Sequence, residues 1–368
     1  MFQLAIEKRK LLPALLTMAG AVDKRQSLAI LSNILLSVSN SRLVLTATDL
    51  EIEMSAVLDC DSVDTASQIT VQAKKLIDII RSLDDDAVAE IKLAAGGVAI
   101  KSGRSQFKLA TLPADQFPVN DLDKSELEFT IQRESLIHLL QSTHFAMSQQ
   151  DVRVFLNGLL LDIEGSHLTT VATDGHRMAI CKFQCEQHLP SQRFLLPRKG
   201  VQEMLRLLAA VTDESIVVTA GKGHFRLVTE QYTFSTKLIE ARFPPYTKAI
   251  PTDQDKYVLI DRDILKRSLS RIAILANEKS RAVLLHIQAN SLTLIANNQE
   301  QEEASELLEA HVDGQELKIG INAGYLLDVL GYLPDGLVRL SMSTTDKSML
   351  VESLQDANYQ YIIMPMKL

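Results

Sequence analysis

The feature that most constrains this chain is a threefold internal repeat with a spacing of about 125 residues. One block pairs a strand-like run with a helical run and reads FQLAIEKRKLLPALL, EFTIQRESLIHLL and YVLIDRDILKRSL. Another block reads LVLTATD, LTTVATD and LTLIANN, and it ends at Asp49, Asp174 and Asn298. A further block starts as a strand and turns helical at Val71, Leu196 and Ile321. Because the blocks keep their order and spacing, the sequence predicts three domains of one fold.

Each repeat contains two helical runs and several short strands with Gly, Asn or Asp turns, which indicates an α+β fold with antiparallel hairpins. The helical pattern covers residues 8–16, 74–82, 133–142, 198–207, 262–271 and 324–332. Pro13 lies late for a first-turn proline, so the boundary of the first helix is the least defined. Polar, acidic linkers at 120–126 and 251–256 predict domains at 1–124, 125–253 and 254–368.

The composition is that of a folded protein, with 46% hydrophobic and 23% charged residues in 368. The longest apolar run, from Leu28 to Leu36, is interrupted and is shorter than the roughly 18 to 20 residues of a membrane span. The amino terminus lacks the order of a signal peptide. Three cysteines are an odd number and lack zinc-ligand spacing. We therefore expect a cytoplasmic protein with no membrane span, disulfide framework, metal or cofactor.

The positive charge is concentrated in the helical segments. They carry 14 Lys and Arg against five acidic residues, a net charge of +9. Since the whole chain has a formal net charge of −8, the other residues carry −17. Lys and Arg on one helix usually cover a solvated face, but five of the six segments contain Lys or Arg. The pattern favours one surface that faces a polyanion, while the rest of the chain repels it.

Catalytic motifs are sparse. The sequence contains no G-x-x-x-x-G-K-[ST], G-x-G-x-x-G after a strand, G-x-S-x-G or H-E-x-x-H pattern. The best enzyme candidate is the tetrapeptide DGHR at 174–177, in which Asp174 and His176 could serve a hydrolase. The alternative is a hairpin turn, because Asp-Gly is a turn dipeptide and the equivalent DLE at 49–51 has no histidine. Both alternatives stay open, as does a protein-binding scaffold that contacts no nucleic acid.

Several blocks closely resemble one known family. VATDGHRMAICK, LLPRKGVQEMLRLL, STKLIEARFPPY, ILANEKSRAV, TLIANNQEQEEA and YIIMPMKL are similar to the beta subunit of bacterial DNA polymerase III, the sliding clamp. The likeness spans the whole chain. It implies three domains of the DNA-clamp type that form half of a ring in a head-to-tail homodimer, with helices lining the hole and sheets outside. It also implies a non-enzymatic processivity factor that encircles duplex DNA and slides.

The size of such a ring is consistent with a dimer. A helix with its side chains is roughly 10 Å wide, so six in a ring would enclose a hole about 19 Å across. Duplex DNA, roughly 20 Å across, would not pass, whereas twelve helices from two subunits give about 38 Å. Contacts of Lys and Arg with phosphates are independent of base sequence and permit sliding.

The resemblance and the charge pattern together predict the site residues. The DNA contacts are Arg25, Gln150, Arg153, Arg198, Lys199, Lys266 and Arg271. Val154 and Phe155 stand where many relatives have two tyrosines, and Asp346 where many have an aliphatic residue. The predicted partner-peptide pocket consists of Leu156, Thr173, Gly175, His176, Arg177, Met178, Pro244, Lys248, Asn322, Tyr325, Ser348, Ile362, Met364, Pro365 and Met366. Its partners would be the DNA polymerase III alpha subunit, clamp-loader subunits and other proteins with a clamp-binding motif.

The carboxy-terminal YIIMPMKL is either a strand packed into its sheet or an adaptable apolar docking site, since Met adapts to varied partners and Pro ends a ladder.

A dimer interface is predicted from complementary charge. Lys101, Arg104 and Lys108 are expected on one strand of the first domain, and Glu300, Glu302, Glu303 and Glu306 on one segment of the third. The full predicted interface is Lys75, Arg104, Phe107, Leu109, Ile274, Leu275, Glu300 and Glu303.

Overall fold

The computed structural model describes residues 2–22, 28–62, 66–119 and 125–367. Arg25, one predicted DNA contact, lies outside the described residues. In these ranges the helices are α1 (Lys8–Met18), α2 (Ala73–Ser82), α3 (Arg133–His144), α4 (Arg198–Ala210), α5 (Arg262–Ile272) and α6 (Ala323–Tyr332). Each predicted helical segment falls inside one observed helix. Helix α1 continues through Pro13, which removes the hydrogen bond to the carbonyl of Arg9, an exposed residue.

The strands of the first repeat are β1 (Gln3–Glu7), β2 (Asn33–Ser39), β3 (Arg42–Thr48), β4 (Ile52–Asp59), β5 (Asp61–Ser62), β6 (Ser67–Gln72), β7 (Val88–Ala94), β8 (Gly97–Ser102) and β9 (Ser105–Leu109). Those of the second are β10 (Leu127–Gln132), β11 (Gly158–Thr173), β12 (Arg177–Pro197), β13 (Ser215–Ala220), β14 (His224–Val228) and β15 (Tyr232–Lys237). Those of the third are β16 (Lys256–Asp261), β17 (Ala282–Gln288), β18 (Ser291–Asn297), β19 (Glu303–Glu309), β20 (His311–Asp313), β21 (Leu317–Asn322), β22 (Leu337–Met342), β23 (Met349–Ser353) and β24 (Tyr359–Ile363).

The chain forms two compact units that cut across the repeats: residues 1–134 with 199–238, and residues 135–198 with 239–368. The first unit contains a five-stranded sheet, β5-β1-β7-β8-β9, and an eight-stranded sheet, β10-β13-β14-β15-β4-β3-β2-β6. Because β4 of the first repeat pairs with β15 of the second, hydrogen bonds join the repeats inside this unit. The predicted boundaries at 124 and 253 stay a prediction.

The second unit contains a seven-stranded sheet, β11-β12-β24-β23-β22-β16-β20, and a four-stranded sheet, β19-β18-β17-β21. Here β12 of the second repeat pairs with β24 of the third. All strand pairs in the described ranges are antiparallel, as the hairpin pattern predicts. Helices α5 and α6 pack together through buried leucines such as Leu265, Leu269 and Leu326.

A cation at the start of one helix binds the carboxyl end of its partner helix in all three repeats. Lys8 Nζ donates to the Leu83 carbonyl (2.5 Å), Arg133 Nη1 to the Leu208 carbonyl (3.0 Å) and Arg262 Nη1 to the Leu333 carbonyl (2.6 Å). Helix carboxyl ends carry unpaired carbonyls and partial negative charge. Part of the positive charge of the helices therefore stabilises the fold and is not available to a polyanion.

Candidate functional site: a peptide pocket and a nucleic-acid interface

The turn between β11 and β12 is a structural hairpin turn that carries predicted pocket residues. The Thr173 hydroxyl donates to the Arg177 carbonyl (2.6 Å), and Asp174 Oδ1 accepts from the backbone N–H groups of His176 (2.9 Å) and Arg177 (3.0 Å). Gly175 has a φ of +89°, which favours glycine.

The equivalent turn in the first repeat has the same bonds. The Thr48 hydroxyl donates to the Ile52 carbonyl (2.8 Å), and Asp49 Oδ1 accepts from the backbone N–H groups of Glu51 (3.0 Å) and Ile52 (2.9 Å). Asp174 is thus bonded to backbone and to Arg177, and its bond to His176 involves the backbone N–H and not the imidazole. In the described ranges no group of three His, Cys, Asp or Glu residues could hold a metal ion. The geometry favours the turn over the hydrolase reading.

Arg177, a predicted pocket residue, is mostly buried and connects the turn to neighbouring elements. Its guanidinium donates to Asp174 (3.1 Å), to Asp328 (2.5 Å) and to the Phe145 carbonyl (2.8 Å). Its Cζ atom lies 4.5 Å from the centre of the Tyr325 ring, within the range of a cation–π interaction. A charge held by these contacts fixes both the turn and the start of α6.

The amino terminus of α6 is fixed by its own cap. Asn322 Oδ1 accepts from the Tyr325 N–H (3.3 Å), and Asn322 Nδ2 donates to the Ser280 carbonyl (3.1 Å). The cap explains why Asn322 and Tyr325, both predicted pocket residues, are held together.

A buried apolar cluster lies beneath the predicted pocket residues and would form the floor of the pocket. It consists of Leu160, Val171, Ile180, Leu195, Phe243, Leu350 and Ile362, with Phe155, Met178, Ile239, Ala241, Tyr246 and Ile250 packed against it. Of these, only Met178 and Ile362 are among the predicted pocket residues. The rest were missed because they lie on separate strands and loops, and apolar residues in alternating strands carry no mark of a binding site.

The carboxy-terminal segment, predicted as another wall of the pocket, lies beside the turn at 174–177. Strand β24 ends at Ile363, after which the Met364 N–H donates to the His176 carbonyl (2.9 Å) and the Met366 N–H donates to the Gly320 carbonyl (2.8 Å). The Met364 side chain is 48% exposed, whereas Ile362 is buried. Both interpretations of the sequence therefore apply to part of the segment. It is a packed strand up to Ile363, and the apolar Met364 beyond the strand is accessible.

Two further predicted wall positions precede strand β23 in the sequence. Ser348 directly precedes Met349, which pairs with Ile363. Asp346 is exposed and accepts a hydrogen bond from the Thr344 hydroxyl (2.7 Å).

The equivalent position in the first unit is closed. The Lys237 N–H donates to the Glu51 carbonyl (2.9 Å), which matches the bond between Met364 and His176. There the pair that corresponds to Met178 and Ile362 is Glu53 and Ser235. A Cβ atom added to Gly200, which occupies the repeat position of Tyr325, would lie 2.5 Å from the Thr236 hydroxyl. Glu53 and Ser235 therefore make this surface of the first unit polar, and the close approach of Gly200 to Thr236 leaves no space there for a larger side chain.

The loop at 150–153 lies beside the pocket turn. Arg153 donates to Asp151 through Nε (3.1 Å) and Nη2 (3.0 Å), and this contact lowers the pKa of Asp151 to about 2. Arg153 Nη2 lies 3.2 Å from the position of a Cβ atom on Gly175. The Val152 side chain is 95% exposed. Arg153, predicted as a DNA contact, thus also lies next to Gly175, a predicted pocket residue.

Phe155 packs edge-to-face on Phe243 with ring centres 6.1 Å apart. It therefore contributes to the floor of the pocket.

The helix cations predicted to contact DNA have different surroundings. Arg198 donates to the Met147 carbonyl (2.7 Å), and burial followed by the charge of Arg177 lowers the pKa of Arg198. Lys199 is paired with Asp49, and Arg271 donates to Glu306 (3.1 Å). In the part of the chain that the structure describes, Lys266 has no ion pair. Lys266 is therefore the predicted contact whose charge is least compensated.

Three of the predicted dimer residues lie on two edge strands. Strand β9, with Phe107 and Leu109, ends the five-stranded sheet, and β19, with Glu303, ends the four-stranded sheet. Ile274 is 77% exposed, and Leu307 on β19 is 68% exposed. Leu307 was missed because the neighbouring acidic residues dominate that segment. An edge strand offers unpaired backbone groups to a second chain.

The other interface residues are accessible. Lys75, Arg104 and Glu300 are exposed, while Leu275 is half-buried in the 3₁₀ turn at 273–275. The expectation that Lys101, Arg104 and Lys108 share one strand is wrong: Lys101 lies on β8 and Lys108 on β9, and Arg104 is in the turn between them. Gly103, with a φ of +54°, makes this reversal possible.

Three repeats with two helices each, and sheets that combine strands of neighbouring repeats within each unit, define an α+β protein of the clamp class. Family models for the N-terminal, central and C-terminal domains of the DNA polymerase III beta subunit match residues 2–121, 130–245 and 247–367. The chain belongs to this family, the beta sliding clamps.

Individual relatives cover the whole length. The beta sliding clamp of Pseudomonas aeruginosa is 41% identical over 366 residues, and that of Escherichia coli is 40% identical over 363; each alignment covers 99% of both chains. The crystal structure of the DNA polymerase III subunit beta from Pseudomonas aeruginosa has a TM-score of 0.96 at 39% identity and covers 100% of both chains.

The resemblance drawn from the sequence is thereby confirmed, as is the repeated α+β fold. The chain is a DNA polymerase III processivity factor, by family a non-catalytic protein. No helix within the described residues is long and apolar enough to cross a membrane.

Proposed function

We propose that this chain acts without catalysis as a homodimeric ring, which encircles duplex DNA and tethers polymerase through the pocket in the second unit. The observation that carries the proposal is the apolar floor around Phe243 and Ile362, bordered by the exposed Met364. Buried apolar anchors in such pockets supply most of the affinity for a partner. The partners proposed are the DNA polymerase III alpha subunit, clamp-loader subunits and other proteins with a clamp-binding motif.

The encircling mode is tested by topology. Purified protein loaded on closed circular DNA should stay bound and should leave when the circle is cut. Retention on linear DNA, or no binding to either form, would contradict the ring and would favour a scaffold that does not contact nucleic acid.

The DNA contacts are tested by salt dependence. Each lost phosphate contact lowers the slope of log affinity against log salt by about 0.9. Lys266→Gln is the cleanest variant because Lys266 has no ion pair among the described residues, and Lys318→Gln on β21 is the matched control. Equal slopes in the two variants, or a preference for one DNA sequence, would contradict the assignment.

The dimer is proposed to join β9 of one subunit to β19 of another. Replacing Ile274 and Leu275 by Ala removes the apolar side chains of the 3₁₀ turn that packs on β18, the neighbour of β19, so sedimentation should show monomers. Replacing Ile264, an exposed residue of α5, by Ala is the control and should leave the dimer intact. An unchanged dimer in the Ile274 and Leu275 variant would place the interface elsewhere.

The pocket is tested by removing its carboxy-terminal wall. Deletion of residues 364–368, of which Leu368 lies outside the described residues, leaves β24 and its pairing with β12 in place. The variant should lose binding of a synthetic peptide with Leu and Phe anchors but keep its dimer and thermal stability. Unfolding of the third repeat or unchanged peptide affinity would show that the segment is not a docking wall.

A further inference from the structure

A buried carboxylate lies next to the pocket floor and is not part of the predicted site. Asp162 on β11 is 3% exposed and faces Arg193 on β12 in the strand register. Arg193 binds it through two parallel hydrogen bonds, from Nε to Oδ1 and from Nη2 to Oδ2, both 3.0 Å long. A buried carboxylate is stable only when it is paired in this way.

A third group reaches the same carboxylate from the loop that follows β15. The Tyr246 hydroxyl donates to Asp162 Oδ2 at 3.2 Å. Burial, followed by the charge of Asp162, raises the pKa of Tyr246 to about 12, so the phenol keeps the proton that it donates. Tyr246 is also one of the side chains that pack against the apolar floor.

The loop that carries Tyr246 forms a wall of the pocket. The Ile239 N–H donates to the Leu195 carbonyl (2.9 Å) at the start of this loop, and Phe243 is buried in the floor. Pro244 and Lys248, both predicted pocket residues, are exposed on either side of Tyr246. The Tyr246 hydroxyl is therefore a polar anchor between the two residues that would face a peptide.

We propose that the contact of Tyr246 with the Asp162–Arg193 pair positions this wall and thereby sets the affinity of the pocket for partner peptides. The inference rests on the proposed function, since it assumes that peptides bind here. Tyr246 is a positioning residue: its hydroxyl acts through the loop and need not touch the peptide. A wall that leaves its binding position reduces apparent affinity by the fraction of time it is displaced.

Tyr246→Phe removes the hydroxyl but keeps the ring in the floor, and the Arg193 bonds still satisfy Asp162. If the wall then occupies its binding position about one tenth of the time, peptide affinity falls roughly tenfold. Tyr257→Phe is the matched control, because the Tyr257 hydroxyl also bonds a carboxylate, that of Asp313, but at the β16–β20 edge of the same sheet.

The experiment measures the dissociation constant of a fluorescein-labelled synthetic peptide with Leu and Phe anchors by fluorescence polarisation. It also measures hydrogen exchange at the Lys248 and Ile250 amides, which bond the Pro245 and Thr247 carbonyls in the loop. Tyr246→Phe should weaken binding about tenfold and speed exchange at both amides, with an unchanged denaturant midpoint. Tyr257→Phe should change neither quantity.

A second variant separates positioning from general damage. In Asp162→Asn the Tyr246 bond loses its charged acceptor, so combining it with Tyr246→Phe should weaken binding no further than Asp162→Asn alone. Wild-type affinity and exchange in Tyr246→Phe would overturn the inference while leaving the pocket intact. If the wild-type protein does not bind the peptide, or the 364–368 deletion binds it equally well, the proposed function itself fails, and the positioning role fails with it.

Discussion

Replacing Lys8 by Met should destabilise the first repeat by about 2 kcal/mol. A hydrogen bond to a charged group contributes about 1.5 to 3 kcal/mol, and a cation at a helix carboxyl end about 0.3 to 1. Lys8 is only 8% exposed, and its Nζ lies 2.5 Å from the Leu83 carbonyl, so both contributions apply. The bond to Asp85 (3.0 Å) adds little, because that carboxylate is fully exposed. Met retains the packing of the Lys stem, and water partly reaches the freed carbonyl.

Native-state hydrogen exchange is the suitable assay, because two compact units need not unfold together. Amides of α2 and β7 report on the first repeat, and their free energy of opening should fall by about 2 kcal/mol, or nearly 30-fold in the opening equilibrium. Arg262→Met should act in the same way on α6, because Arg262 binds the Leu333 carbonyl.

Lys10→Met is the control, since Lys10 is half-exposed and contacts only Glu7 (3.4 Å) in the described structure. It should cost less than about 0.5 kcal/mol. If Lys8→Met and Lys10→Met lower the free energy of opening by the same amount, the cations do not stabilise the helix carboxyl ends. Binding to a polyanion would then be the only explanation for the positive charge of the helices.

Two further predictions concern the pocket turn and the thiols. Gly175→Ala should lower the melting temperature more than Gly103→Ala. Both glycines have positive φ, but only an alanine at 175 must displace the Arg153 side chain. Equal losses of stability would contradict that contact. At pH 8 a thiol reagent should modify only Cys185 in the native protein, because Cys60 and Cys181 are buried and burial raises the pKa of Cys181 to about 12. Rapid native labelling at either buried position, scored by mass spectrometry, would show that the local structure opens.

The repeat was enough to predict most of the local structure. Helix positions, antiparallel hairpins and the turns at Asp49 and Asp174 depend on residues close together in the sequence, and the structure confirms them. The turn at 49–51 has an aspartate but no histidine, whereas the turn at 174–177 has both. An aspartate that recurs without its histidine already indicated a structural role for Asp174.

The sequence did not reveal how its cations are used. Counting Lys and Arg gives the charge of a helix, but it cannot show that the side chains of Lys8, Arg133 and Arg262 bind carbonyls 71 to 75 residues away. Those contacts form only when the end of the second helix of each repeat comes close to the start of the first helix.

The sequence by itself determined the three repeats, the class of fold and the family, because periodicity and motif order are local properties. The tertiary structure decided where a pocket could exist. Phe243, Tyr246 and Asp162 come together only when β11, β12 and the loop after β15 pack on one another. The matching surface of the first unit is polar, and Gly200 lies close to Thr236 there. A binding site depends on which distant side chains share a surface, and that is set by packing between elements.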